Sequence, residues 1–195
     1  MQETKSNKDR WIETGYRHFA ELGPEDMHVN QIAHEAGVSR TSFYQFFTDL
    51  DDFIGHLLDH HSQQADIYHA RLQACQAYTE IFRVMMDFHD GVFFHRQLLL
   101  HGAHPAFHDL YQKLNQIGNA IVYPLWAEYF EYEGNELAGK EIHLMLIDLW
   151  YLNLTKDKFT VTAFLENSNE IRRQLNAYKR SGSLPGLAQK NDKPV

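Results

Sequence analysis

A chain of 195 residues that is 44% hydrophobic and 13% aromatic can bury a sizeable core, which excludes general disorder. Its formal charge of −8 excludes a protein that coats nucleic acid without regard to sequence, and its single cysteine, Cys75, excludes an intrachain disulfide or a cysteine-built zinc site. No apolar run approaches the ~20 residues of a membrane helix, and the polar stretch Met1 to Arg10 is unlike a secretory leader, so no membrane partner and a cytoplasmic location are expected.

The apolar period is helical nearly throughout, with no strand-like alternation. Trp11, Ile12, Tyr16, Phe19, Ala20 and Leu22 define a first helix, capped by Ser6 or Asn7 and stopped by Gly23-Pro24. A short second helix fits Val29 to Ala36 and ends at Gly37; a third fits Arg40 to Phe46 behind Ser39 as its N-cap. Asp49 caps a long fourth helix, with Asp51 and Asp52 in its first turn, where the helix dipole favours acids. That helix meets no breaker until about residue 76, a length of roughly 40 Å. Further helices are expected over 78–89, 91–101, 105–132, 136–154 and 160–180, with a polar connector at Thr155 to Lys158. Pro124 predicts a kink or split near Tyr123, and 181–195 reads as a flexible tail.

The segment Ala36-Gly37-Val38-Ser39 between two short helices is the turn of a helix-turn-helix. Gly37 permits the positive φ of the tight turn, Val38 can plug the gap between the helices, and Ala33 and Ala36 let them cross closely. The second helix of such a pair can enter a major groove. The stretch Val29 to Phe47 resembles the DNA-binding signature of the tetracycline-repressor (TetR) family, through Ile32-Ala33, Ala36-Gly37-Val38-Ser39, Phe43-Tyr44 and Phe47, with Phe53 at the usual apolar site of the next helix. The likeness spans roughly residues 8–60. It implies an all-α homodimer: a three-helix DNA-binding domain over 1–50, a helical ligand-binding and dimerisation domain over 51–180 entered by the linking helix 49–75, and the tail.

The resemblance also implies roles. Phe43 and Phe47 match core positions; Arg40, Thr41 and Ser42 match positions that face DNA; Tyr44 matches a phosphate contact; Gln45, Phe46 and, on the second helix, Asn30 match variable groove-facing positions. Arg and Gln can hydrogen-bond guanine and adenine edges. Two features depart from the pattern. Leu50 stands where relatives often carry a phosphate-gripping lysine, and the first 60 residues hold five Lys and Arg against eleven Asp and Glu. They leave open an alternative, a helix-turn-helix module that binds protein partners and has weak or lost DNA binding.

The 136–154 segment carries two apolar stripes, Ile142, Met145, Leu146, Leu149 and Trp150, and Leu144, Ile147, Tyr151 and Leu154. A helix apolar most of the way round needs burial on both sides: one side can face its own core and the other a partner subunit, or both can complete a monomeric core, and the resemblance implies that the last two helices form the dimer interface. The last helix adds Val161, Phe164, Leu165, Ile171, Leu175 and Tyr178. The aromatic and Met-rich middle suggests a pocket for a small lipophilic or aromatic ligand, with Phe82, Met86, Phe107, Tyr111 and Trp126 as lining candidates. Thirteen histidines include the pairs and clusters His56/His60 and His101/His104/His108 beside Asp109, but none has a specific metal spacing, and they are read as surface or capping groups. No catalytic fingerprint and no cofactor is expected. The function expected is a ligand-responsive regulator, a repressor released from an inverted-repeat operator in double-stranded DNA by its small-molecule ligand.

Overall fold

The computed structural model describes residues 5–181, with side chains to residue 177; apart from Ser181, the expected tail lies outside the described residues. Among the described residues nine α-helices follow one another: α1 Asn7–Leu22, α2 Val29–Ala36, α3 Arg40–Phe43, α4 Leu50–Gln73, α5 Tyr78–Asp87, α6 His89–Leu100, α7 Pro105–Tyr129, α8 Glu136–Asn153 and α9 Val161–Ser181. A short 3-10 turn, Lys156–Lys158, lies in the expected polar connector, and no strand occurs among the described residues.

Local chemistry sets the ends. The Ser6 hydroxyl accepts from the Asp9 amide while the Asp9 carboxylate accepts from the Ser6 amide, a reciprocal cap on α1. Gly23, at φ +85°, stops that helix. Asp49 caps α4 and Asn135 caps α8 through their side chains. Two expectations are corrected. The third helix is regular only to Phe43; Tyr44 to Phe46 continue as turns, with amide bonds Gln45 to Ser42 and Phe46 to Phe43 at i+3 spacing. And α7 is not split at Pro124, where it stays helical with Pro124 and Ala120, whose carbonyl loses its amide partner, both exposed to water.

One continuous apolar core joins the first three helices to the body. It runs from Trp11, Phe19, Phe43, Phe47 and Phe53 to Phe82, Phe94, Phe107 and Phe164. α1 lies most extensively on α6, and α4 on α7. Where α1 crosses α4, Gly15 admits the Phe53 ring: a Cβ there would stand 2.3 Å from Phe53 Cζ. Phe53 is fully buried among Trp11, Phe43 and Phe47 and has no room to yield. Gly15→Ala is therefore expected to lower stability by about 1–3 kcal/mol, readable by urea denaturation. A neutral result would mean that the crossing can open by itself.

Candidate functional site

Two surfaces carry the chemistry. The first is the exposed side of α2 and α3. Gly37, at φ +63°, makes the turn between them, and its amide bonds back to α2. Ser39 caps α3 by accepting from the Ser42 amide. Asn30, Arg40, Thr41, Tyr44 and Gln45 are exposed, Tyr44 to 59%. Phe43 and Phe47 are buried and seat the recognition segment against Trp11 and Phe53. Phe46 is half-buried against the same core.

Ser42 is corrected from the groove-facing set. It is buried; its hydroxyl accepts from the Trp11 indole N–H at 3.0 Å and donates to the Ser39 carbonyl at 2.6 Å. Ser42 thus ties the recognition helix to α1. Leu50 is also half-buried against the core, so a lysine there would forfeit packing before it reached a phosphate.

Much of the acidity of the amino-terminal segment is taken up by helix starts and ion pairs. Asp9, Asp49, Asp51 and Asp52 sit at helix starts, where they complement the dipole. Glu13 pairs with Lys5, and Glu21 with Lys156. On α2, Glu35 is held by His18 Nε2 at 2.6 Å, which keeps its carboxyl below the ordinary glutamate range.

The second surface is an internal cavity of about 180 Å³ between α4, α5, α6, α7, α8 and α9. Of the sequence candidates, Phe82 and Trp126 line it. Met86, Phe107 and Tyr111 do not: Phe107 stacks toward Phe19 and His104, and Tyr111 toward His95 and Tyr151. The lining contains four histidines, His61, His69, His95 and His143, and neither a carboxylate nor a Lys or Arg among the described residues. It also contains Tyr16 of α1.

Tyr16 begins a buried hydrogen-bond chain. Its hydroxyl meets His61 Nδ1 at 2.7 Å, His61 Nε2 meets His95 Nδ1 at 3.2 Å, and His95 Nε2 meets Asn115 Oδ1 at 3.1 Å. Asn115 bonds Tyr111, which donates to Asp148 Oδ1 at 2.6 Å. An amide oxygen only accepts, so His95 carries its proton on Nε2, His61 likewise, and Tyr16 donates. Every bond then points the same way, from α1 through α4, α6 and α7 to α8. Burial drives the electrostatics: it holds His95 down to about 4, His61 well below its ordinary value, and raises Tyr16 and Tyr111. The histidines are neutral near pH 7, as the chain requires.

Sequence reasoning missed His61, His69 and Tyr16 as cavity residues. The signal was present. His61 and His69 fall in the apolar phase of α4, on the face shared by Phe53, Leu57, Ala65 and Leu72. His56 and His60, singled out for metal spacing, are half-buried beside that phase, and among the described residues no cluster of three or more metal-ligating side chains forms. Nor is any helix long and apolar enough to cross a membrane among those residues.

Residues 12–56 match the family described as bacterial regulatory proteins, tetR family. No curated protein matches the sequence. In fold, the chain is similar to a TetR-family transcriptional regulator from Streptomyces coelicolor, at 21% identity and TM-score 0.57 over 88% of this chain and 91% of that one. It is similar to a transcriptional regulator from Saccharomonospora viridis in complex with choline, at 17% identity and TM-score 0.61 over 91% and 97%. It is similar also to the regulator FadR from Bacillus subtilis in complex with stearoyl-CoA, at 16% identity and TM-score 0.54 over 86% and 97%. Residues 12–56 thus resemble the amino-terminal domain of the tetR family of bacterial regulatory proteins, and the overall fold is similar to that of the transcriptional regulators just named.

Proposed function

We propose that this chain is a dimeric, ligand-responsive repressor: it binds an inverted-repeat operator through α2 and α3 and releases it when a small lipophilic or aromatic ligand fills the cavity. One observation carries the reading. α1 belongs to both surfaces: its Trp11 holds Ser42 of the recognition helix, and its Tyr16 lines the cavity. A ligand that displaces Tyr16 moves the helix that seats α3, and packed helices move as rigid bodies. Ligand complexes of similar folds, with choline and with stearoyl-CoA, support an effector role for the cavity.

The dimer rests on α8. Its inner side buries His143, Tyr151 and Leu154, while Ile142, Met145, Leu149 and Leu152 form an exposed apolar stripe. A second copy covers that stripe and sets the two recognition helices about one DNA turn, or a small multiple, apart. A monomeric hydrodynamic mass at micromolar concentration would refute this.

Asn30, Arg40, Thr41, Tyr44 and Gln45 are the proposed DNA contacts. Arg40→Ala is expected to cost about 1–3 kcal/mol on the preferred site and to relax base preference at one position. Tyr44→Phe weakens all sequences alike through a lost phosphate contact. No residue is proposed as catalytic. The decisive experiment titrates the protein with its own upstream DNA, with and without ligand. Linkage requires that a tenfold loss of DNA affinity, about 1.4 kcal/mol, be matched by an equal loss of ligand affinity on saturating DNA. Equal ligand affinities in the two cases would show that the cavity is not a switch.

A further inference from the structure

The cavity walls specify the ligand more narrowly than lipophilic or aromatic. The volume, about 180 Å³, is close to that of an engineered protein cavity of ~150 Å³ that binds benzene, so it holds one aromatic ring with a substituent and not a long acyl chain. Apolar and aromatic side chains form most of the wall, among them Ile81, Phe82, Val92, Leu114 and Phe130.

Two polar groups in that wall are unfinished. His143 is 2% exposed, and its Nδ1 bonds Asn119 Oδ1. Asn119 is oriented by its own Nδ2, which donates to the Lys140 carbonyl at 3.5 Å. His143 Nδ1 must then be the donor, which leaves Nε2 a bare lone pair with no partner among the described residues. His69 is 8% exposed, lies against Gly118 of α7, and makes no hydrogen bond or ion pair among the described residues. The cavity therefore has one acceptor fixed by its neighbours, His143 Nε2, that lacks a donor, and a second unpartnered ring, His69, that can accept through one nitrogen and donate through the other. It also lacks a counter-charge for any ion, because no carboxylate, Lys or Arg lines it.

We infer that the effector is a single-ring aromatic molecule carrying one acidic hydroxyl, a phenol or a benzoic-type acid, bound in its uncharged form with that hydroxyl donating to His143 or His69. This rests on the reading of the cavity as the effector site. A quaternary ammonium ion finds no anion here, and a phosphorylated ligand finds no cation. Burial keeps His143 near 4 and lowers His69, so both accept at neutral pH. The groups facing them do not offset this. Asp66 on α4, His61 on α4 and His95 on α6 surround His69. Tyr123 and Trp126 on α7 flank His143.

Calorimetry on the full chain without DNA tests the inference, so its outcome is independent of whether ligand releases the operator. Phenol, benzoate, anisole and benzyltrimethylammonium are the probes. Phenol or benzoate is expected to bind one per chain. Phenol affinity is expected to be flat between about pH 6 and 8, since phenols ionise near 10. Benzoate affinity is expected to fall about tenfold per pH unit, because each molecule must arrive with a proton. The tighter of the two identifies the acid class. Anisole, which has the ring but no donor, is expected to bind at least about tenfold more weakly than phenol, the worth of one hydrogen bond to a buried acceptor. His143→Phe and, separately, His69→Phe are assayed by the same anisole-to-phenol ratio. At the operative acceptor the ratio collapses to near one, while retained anisole binding reports an intact cavity. The inference is overturned if neither acid binds, if anisole matches phenol in the unaltered protein, if benzoate binds without pH dependence, or if the ammonium probe binds more tightly than phenol.

Discussion

Phe94→Ala is expected to destabilise the chain by about 3–5 kcal/mol, the cost of emptying a large aromatic site in a well-packed core. Phe94 is fully buried on α6. Its ring stacks on Phe19 at 4.2 Å, Tyr16 at 4.5 Å and His61 at 4.5 Å. Two of those rings belong to α1 and the third begins the buried chain of histidines. The neighbours are rigid aromatics tied into other contacts, so the void cannot collapse cheaply. A loss of this size is a large part of a typical net stability of about 5–15 kcal/mol. Urea denaturation followed by tryptophan fluorescence and by circular dichroism gives the number. A change below about 1 kcal/mol would mean that α1 and α6 are not locked through this ring.

Acid is expected to unfold the protein steeply. Unfolded histidine titrates near 6.5, whereas burial holds His95 and His143 at about 4 in the folded chain and His61 lower than its ordinary value. The unfolded state therefore binds more protons throughout that window. Stability contributed by the neutral rings is complete above about pH 6.5 and is lost as pH falls toward 4, at up to about 1.4 kcal/mol per pH unit for each group. His95 and His143, with His61 acting in the same direction, would together remove a substantial part of the stability of an ordinary domain. The midpoint of urea unfolding should drop sharply between pH 6.5 and 4.5, and His143→Phe should flatten the slope by one group's share. A flat profile would show that the histidines are charged or solvated in the native state.

The helices and their limits were legible because capping and breaking are local. Ser39 and Asp49 accept from amides three residues on, and the Gly23 amide donates to the Phe19 carbonyl four residues back. The seating of α3 was legible through Phe43 and Phe47, which match core positions of the family that the segment resembles. The role of Ser42 was not, because its partner, the Trp11 indole, lies 31 positions earlier and nothing local to Ser42 marks it. The cavity was legible in kind but only partly in detail. Aromatic and Met content announced apolar space among the middle helices, yet Phe107 packs away from it and Tyr111 stands behind the lining rings of His95 and Tyr151, since a stripe at helical period does not say which neighbour a helix turns to. The histidines that line the cavity were hidden in plain phase: His61 and His69 keep the apolar register of α4, and a polar residue in that register signals a buried polar site. The hydrogen-bond chain itself links five helices and could emerge only from their packing.

The shared core has a consequence for how such regulators can be recombined. Trp11, Phe19 and Phe53 meet Phe94 and Phe107 without an intervening seam, and Gln97 of α6 donates to the Ala20 carbonyl of α1. The proposed DNA-reading face and the proposed effector cavity thus belong to one packed core. A chimera that grafts residues 1–50 onto another sensor body would leave the α1 face opposite a foreign α6, with its stacked rings and its Tyr16 hydroxyl unmatched. To transplant the proposed reader, the cut has to follow the packing: either α4 and α6 travel with α1, or only the exposed residues of α2 and α3 are exchanged and the interior stays native.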